Sequence, residues 1–150
     1  MRVLEDMSVD ELKRLLKRLR DEGEERRKRA YERRLHDKAM LVARVLGKRL
    51  SSSKHEFRRG DMTIYDDAHG GVGHVKVGDE KVLSWDLHGC TRPEHFAIVR
   101  FRPGPWEDEL EALYAEAKRK KAEEERRKLI KEIRELAERW GIDVEELMGD

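Results

Sequence analysis

The sequence has no asparagine and no glutamine, only one cysteine and three prolines, and few aromatic residues (6%). A single cysteine excludes an intramolecular disulfide, which favours a reducing compartment. Proteins of thermophiles often lack heat-labile amides and are rich in charged residues, because ion-pair networks become more favourable at high temperature. With 45% charged residues, this chain fits that composition, and we expect a thermophilic source.

Long apolar runs are also missing. The N-terminal segment MRVLEDMSVDEL lacks the apolar stretch of a signal peptide, and no stretch approaches the roughly 20 apolar residues that span a membrane. Only 37% of the 150 residues are hydrophobic, so they cannot all join one core. We therefore expect a cytoplasmic protein with no membrane contact, in which a compact centre carries solvated extensions.

Charge is spread unevenly along the chain, although the net charge is only +1. Residues 1–54 contain 17 Lys and Arg against 10 Asp and Glu, a net charge of +7. Residues 55–105 contain 7 against 8 (−1), and residues 106–150 contain 10 against 15 (−5). The N-terminal part is therefore basic and the C-terminal part acidic, which favours antiparallel pairing between them.

Two long helices are predicted, one on each side of a central region. A capping box formed by Ser8 and Glu11 predicts the start of the first. Its apolar residues form one stripe before residue 20 and another from 31 to 46. A charged stretch around Gly23 separates them, where the helix either breaks or continues as a solvated rod. The spacing after Pro105 predicts a second helix, about 50 Å long, that ends at Gly141.

The central region predicts an antiparallel sheet of four or five strands. Strands are expected at 56–59, 62–66, 72–77, 80–87 and 96–102, with two-residue turns at Gly60-Asp61 and Gly78-Asp79 and a polar linker at 51–53. The last strand lacks alternation, which is typical of a central strand covered on both faces. The fold class is therefore α+β, with flanking helices packed on the sheet. We divide it into a basic helical arm (1–50), a sheet core (55–105) and an acidic long helix with a short terminal helix (106–150).

Histidine is concentrated in the sheet region, which holds five of the six. A tetrahedral zinc site is one hypothesis for this cluster, although its spacing matches no paired CxxC pattern. A nucleophilic cysteine with a histidine base lacks a third, orienting group. The glycine-rich loop at 68–74 precedes a strand and not a helix, so it is interpreted as a hairpin loop and not a phosphate site. We expect no cofactor, and the alternative metal ligands are His69, His74, His88, Cys90 and His95.

An enzymatic alternative involves Asp66 or Asp67 at the end of one strand and Asp79, with Lys81, on the next hairpin. This arrangement is similar to that of metal-dependent nucleases, in which two acids hold Mg²⁺ and a lysine activates water. Asp79 falls at the predicted turn tip, where it is poorly placed for such a role. We therefore favour a protein that is not an enzyme.

The basic run from residue 26 to 34 is the strongest signal for a partner, because Lys and Arg on a helix can neutralise phosphates and release counterions. Its predicted contact residues are Arg26, Arg27, Lys28, Arg29, Arg33 and Arg34. The apolar stripes at the far ends of the helices also need a covering surface, within this chain or outside it. Their association residues are Leu12, Leu16, Leu129, Ile133 and Trp140.

The sequence therefore predicts a small, non-enzymatic regulatory or adaptor protein that binds a protein or nucleoprotein partner. Transcription or another nucleic-acid process, and a virus or mobile element of a thermophile, would suit such a chain. One alternative is a metal-dependent nuclease or other hydrolase. Another is a coiled-coil structural oligomer in which copies of the chain associate through the helical arms.

Overall fold

The computed structural model describes residues 3–86 and 97–149, and its fold is α+β. A 3₁₀ turn at Leu4–Asp6 precedes the helices α1 (Val9–Leu46), α2 (Trp106–Trp140) and α3 (Val144–Met148). The strands are β1 (Lys48–Arg49), β2 (Lys54–Arg59), β3 (Met62–Asp67), β4 (Val72–Val77), β5 (Glu80–Asp86) and β6 (Ala97–Phe101). Across the described part of the chain, none of the helices has the length and apolarity needed to span a membrane.

The six strands form one antiparallel sheet in chain order. Both predicted two-residue turns are present, and their glycines, Gly60 and Gly78, have the positive φ angles (58° and 61°) that such turns require. The sheet has six strands, where four or five were expected. Residues 48 and 49 pair with β2 just before the predicted linker at 51–53, and so form the short edge strand β1.

The prediction of a central last strand was wrong, because β6 pairs with β5 at the end of the strand order. The register shifts between Ser84 and Trp85, so that these residues pair with Arg100 and Ile98 and leave Val99 as a bulge. Val99 is 61% exposed. The missing alternation thus reflects a bulge and not burial on two faces.

The core lies between one face of the sheet and the two long helices. Phe57, Ile64, Val75 and Leu83 form a continuous buried row across β2 to β5. Full burial of each large apolar side chain stabilises the fold by about 1.5–3 kcal/mol. The helices cover this row with Leu35, Ala39, Val42 and Ala43 of α1 and with Trp106, Leu110, Leu113 and Ala117 of α2.

The helix boundaries follow the predicted signals. Ser8 and Glu11 form the capping box, and Asp143 caps α3 through the amide of Glu145. Gly141 ends α2 in the left-handed conformation, with a φ of 63°. At Gly23 the first helix does not break, so residues on both sides of the charged stretch belong to one rod.

The two long helices run parallel to each other. Tyr31 and Lys38 of α1 donate to Glu107 and Glu111 of α2, and Lys120 donates to the Val45 carbonyl at 3.2 Å. The paired numbers rise together, so only residues 31–46 of α1 lie beside α2. Residues 9–30, the N-arm, therefore leave the core at one end. Residues 118–140, the C-arm, leave it at the other.

This geometry corrects the expectation that the arms of one chain pair with each other. Each arm extends about 33 Å away from the core in its own direction. Charge does not favour their pairing either, because the N-arm has 9 basic against 6 acidic residues and the C-arm 10 against 6. Both arms are net positive, at +3 and +4. Nine of the 15 acidic residues in 106–150 lie before or after the C-arm, in segments that contain no basic residue.

Candidate functional site

In the part of the chain that the structure describes, one face of the sheet is left open, because both long helices pack on the other. Side chains alternate between the two faces of a strand, so the residues beside the core positions point to the open face. In β5 a register shift leaves Val82 without an opposite residue, so that Lys81 and Ser84, three residues apart, lie on the same face. Its side chains are polar, aromatic or basic over most of its area. They include Glu56 and Arg58 of β2, Thr63 and Tyr65 of β3, His74 and Lys76 of β4, Lys81 and Ser84 of β5, and Arg100 of β6.

An aromatic pair lies at the centre of the open face. Tyr65 and His74 are directly opposite each other, and their rings stack with a centroid separation of 5.4 Å and an interplanar angle of 29°. Burial, and then the charges of Lys81 and Lys76, lower the pKa of His74 to about 4. The imidazole is therefore neutral at pH 7, and together with the phenol ring it forms a stacked pair, the aromatic platform.

Positive charge is concentrated beside this platform. Lys76 and Lys81 face each other directly across β4 and β5, and Arg58 lies in the same cross-strand row. Like charges at directly opposed positions destabilise a sheet. Arg58 binds Glu56 at 2.9 Å, but its side chain is 74% exposed. Local rules of stability are most often broken at functional sites, so this lysine pair is a candidate site for an anion.

Arg100 connects the open face to the basic run of α1. It lies opposite Ser84 and also lines a groove of about 600 Å³ between β6 and α1. From the helix, the groove is lined by Lys28, Arg29 and Arg33, with Glu25 and Glu32 between them. Three of the six predicted contact residues therefore share a groove with the sheet edge.

The other three lie elsewhere on the helix. Arg26 donates a hydrogen bond to Glu22 at 3.2 Å, and the two form an exposed ion pair between consecutive turns of the helix. Arg27 and Arg34 are exposed and do not line the groove. The basic run is therefore divided between the sheet edge and the solvated sides of α1.

The loop at 68–71 is organised from within. Oδ1 of Asp67 accepts hydrogen bonds from the amides of His69 and Gly70, both at 3.1 Å, and from Oγ of Ser53 at 3.3 Å. These donors, the Gly70 amide first, lower the pKa of Asp67. This carboxylate therefore serves as the cap of the turn.

The structure does not assemble the nuclease arrangement. Asp66 is buried on the helix-facing side, where Arg44 binds it at 2.9 Å, whereas Lys81 points to the open face. Asp66 lies opposite Gly73, and the turn with Asp79 follows the far end of β4. Four residues of strand place roughly 13 Å between the two ends. These acids and the lysine cannot share one metal ion.

The predicted zinc ligands are not brought together in the described residues either. His69 is exposed on its loop and His74 stacks on Tyr65. His88, Cys90 and His95 lie outside the residues that the structure describes. Within residues 3–86 and 97–149, no group of three or more His, Cys, Asp or Glu side chains has the geometry to hold a metal ion.

The predicted association residues are exposed at the surface of the arms. Leu12 and Leu16 of the N-arm are 37% and 45% exposed, and Leu129, Ile133 and Trp140 of the C-arm are 50–63% exposed. On α1 and on α2 alike, this outer stripe lies roughly half a turn around the helix from the stripe that faces the core. The outer stripes therefore point away from the sheet.

The open face is the site that reasoning from the sequence missed. The signal was present in part, because polar residues alternate with apolar ones along 62–64 and 74–77. Once the register is known, these alternating residues form one surface. Comparisons of the chain with protein-family models, with curated proteins and with solved structures found no match, so the function is inferred from this geometry.

Proposed function

We propose that this protein is a non-enzymatic nucleic-acid-binding protein that holds a single strand on the open face of its sheet. The observation that carries the proposal is the stacked pair of Tyr65 and His74, flanked by the opposed Lys76 and Lys81. Unpaired bases stack on aromatic side chains, and basic residues beside the platform bind the phosphates. A protein of this kind acts within a nucleoprotein assembly.

The neutral state of His74 supports stacking. A neutral imidazole next to a phenol presents an aromatic surface, while the positive charge that attracts phosphate remains on the neighbouring lysines. Thr63 and Ser84 lie in the same rows and offer hydroxyl groups to bases or sugars. The surface thus has the three components that a single strand requires: an aromatic platform, phosphate-binding cations and hydrogen-bonding groups.

Arg100 supports a path for the strand beyond the platform. From the open face, the backbone can cross the edge at β6 and reach the groove with Arg29 and Arg33. Each phosphate neutralised along this path releases counterions, so affinity depends steeply on salt. A rigid duplex cannot lay its bases on a flat sheet, and we expect it to bind more weakly than a single strand.

The test is fluorescence anisotropy with a labelled 20-nucleotide poly(dT), the same length of poly(rU) and a duplex of equal length. We expect Tyr65→Ala to weaken single-strand binding roughly tenfold, because one stacked base contributes about 1–3 kcal/mol. Tyr65→Phe keeps the ring and should bind like the original protein. Lys76→Ala should lower affinity and reduce the slope of log K against log salt by about one.

The matched control is Lys131→Ala, which removes one lysine from the C-arm, far from the sheet. Combined with Tyr65→Ala, it should leave the loss of single-strand affinity caused by that substitution unchanged. Absence of binding to either single strand at low salt would overturn the proposal. So would binding that is equally strong for Tyr65→Ala and Tyr65→Phe.

A further inference from the structure

We infer that the C-arm of one copy of this chain binds the N-arm of a second copy in parallel, so that copies join head to tail. This inference is independent of nucleic-acid binding. The two arms leave the core at opposite ends, and the helices that carry them are already parallel within the chain. One copy therefore presents both halves of the contact but cannot close it on itself.

Both arms have the residue spacing of a short coiled-coil seam. In the N-arm, Leu12, Leu16 and Leu19 are separated by four and then three residues, and in the C-arm Leu129, Ile133, Leu136 and Trp140 continue the same alternation. Parallel alignment of Leu12 with Leu129 places Leu16 beside Ile133 and Leu19 beside Leu136. The next layer places Trp140, the largest side chain, beside Gly23, around which there is open space.

Both arms are net positive, but the individual residues that flank the seam distinguish pairing of unlike arms from pairing of like arms. In a parallel coiled coil, the residue just before an a-type core position contacts a residue of the partner helix. That residue lies five positions beyond the one aligned with it. In this alignment Glu125 faces Lys13 of the second copy and Glu132 faces Arg20. If two C-arms paired instead, Glu132 of one copy would lie opposite Ala137 of the other. The Arg126 side chains of the two copies would then meet in the seam. Only the pairing of unlike arms gives both flanking glutamates a basic partner.

The ends of the contact are complementary as well. The acidic segment with Asp143, Glu145 and Glu146 follows the C-arm after the turn at Gly141, and the basic run that begins at Arg26 follows the seam of the N-arm, so opposite charges adjoin the same end of the contact. The apolar stripes of both arms point away from their own sheets, so successive cores lie on opposite sides of the line of helices and do not collide. The contact is heterologous, and it generates an open chain of copies.

The test uses two variants that each lose one half of the contact. Leu16→Asp disables the N-arm and Ile133→Asp disables the C-arm, and both positions are about half exposed, so the core is untouched. In sedimentation velocity, we expect the original protein to form a concentration-dependent series of oligomers and each variant to be monomeric. An equimolar mixture of the two variants should give a dimer and nothing larger, because one intact N-arm meets one intact C-arm.

A charge exchange tests the register. Glu132→Arg should weaken association, and Arg20→Glu in the same chain should restore it. Leu50→Asp, an exposed leucine outside both arms (47% exposed), is the matched control and should assemble normally. A protein that is monomeric at all concentrations would overturn the inference. A mixture of the two variants that stays monomeric would also overturn it. So would a single variant that dimerises alone, because like arms would then be responsible for the assembly.

Discussion

Nε of Arg44 on α1 donates a 2.9 Å hydrogen bond to Oδ2 of Asp66 on β3, and the two side chains differ sharply in exposure, at 41% and 3%. Removal of the arginine leaves a carboxylate buried without its cation, which costs about 3 kcal/mol or more. Removal of the aspartate leaves an arginine that can turn toward water, at about 1 kcal/mol. We therefore expect Arg44→Ala to lower the free energy of unfolding well beyond Asp66→Ala, as measured by urea titration followed by circular dichroism.

The exposed pair of Arg58 and Glu56 provides the control for this asymmetry. Arg58→Ala should change stability by less than about 0.5 kcal/mol, because solvent screens a surface ion pair. Equal losses from Arg44→Ala and Asp66→Ala would show that burial of the carboxylate does not determine the cost.

Two glycines provide a second prediction, because substitution by alanine should have opposite effects at them. A Cβ atom at Gly73 would lie 2.2 Å from Cζ2 of the buried Trp85 and 2.5 Å from the Tyr65 carbonyl oxygen. Gly73→Ala should therefore destabilise the fold by about 1–3 kcal/mol. Gly23 lies inside α1 with nothing within 4 Å of a Cβ atom. Gly23→Ala should stabilise by about 0.5–1 kcal/mol.

Thermal unfolding of the two variants side by side measures this difference. A Gly73→Ala protein as stable as the original would mean that Trp85 can move aside at no cost. The position of the indole ring over β4 would then not be fixed by packing.

Much of the fold was predictable because its signals are local. The capping box at Ser8 and the two-residue turns after Gly60 and Gly78 depend on neighbouring residues, and all three are present. A tight turn also fixes register, so Arg58 opposite Thr63, and Lys76 opposite Lys81, follow from the turns alone. The pairing of Tyr65 with His74 required knowledge that the loop at 68–71 has four residues.

The parts that could not be predicted depend on distant residues. The missing alternation of β6 fits either a bulge or burial on both faces, and only its pairing with β5 shows the bulge at Val99. The parallel direction of α1 and α2 follows from the path of the whole sheet between them. Net charge summed over 106–150 was misleading for the arms, because the acidic residues that dominate it lie outside the C-arm.

The lowered pKa of His74 predicts a loss of stability in mild acid. Between pH 6.5 and 4 the unfolded chain binds a proton at this ring and the folded chain does not, so the free energy of unfolding falls as the pH falls. Solvent reaches the half-buried ring and screens the effect, so we expect a loss of roughly 1 kcal/mol.

Urea unfolding of the original protein and of His74→Phe, each at pH 7.5 and at pH 5, measures this loss. The variant keeps the aromatic ring but cannot be protonated, so its stability should fall less over the same interval. His36, whose pKa burial also lowers, contributes equally to both proteins and cancels in the comparison. The same fall in both proteins would contradict the assignment to His74.

The opposed Lys76 and Lys81 predict a conflict between stability and binding. Lys81→Glu replaces a repulsive cross-strand pair by an attractive one, which should stabilise the protein by about 0.2–1 kcal/mol. The same change places a negative charge beside the aromatic platform, so affinity for poly(dT) in the anisotropy assay should fall. Lys131→Glu makes an equal change in charge on the C-arm. It removes a helical ion pair with Glu135, so it should not stabilise the protein. If Lys81→Glu were more stable and still bound the single strand with full affinity, the lysine pair would have no role in binding, and the open face would lack the phosphate-binding cations that the proposed function requires.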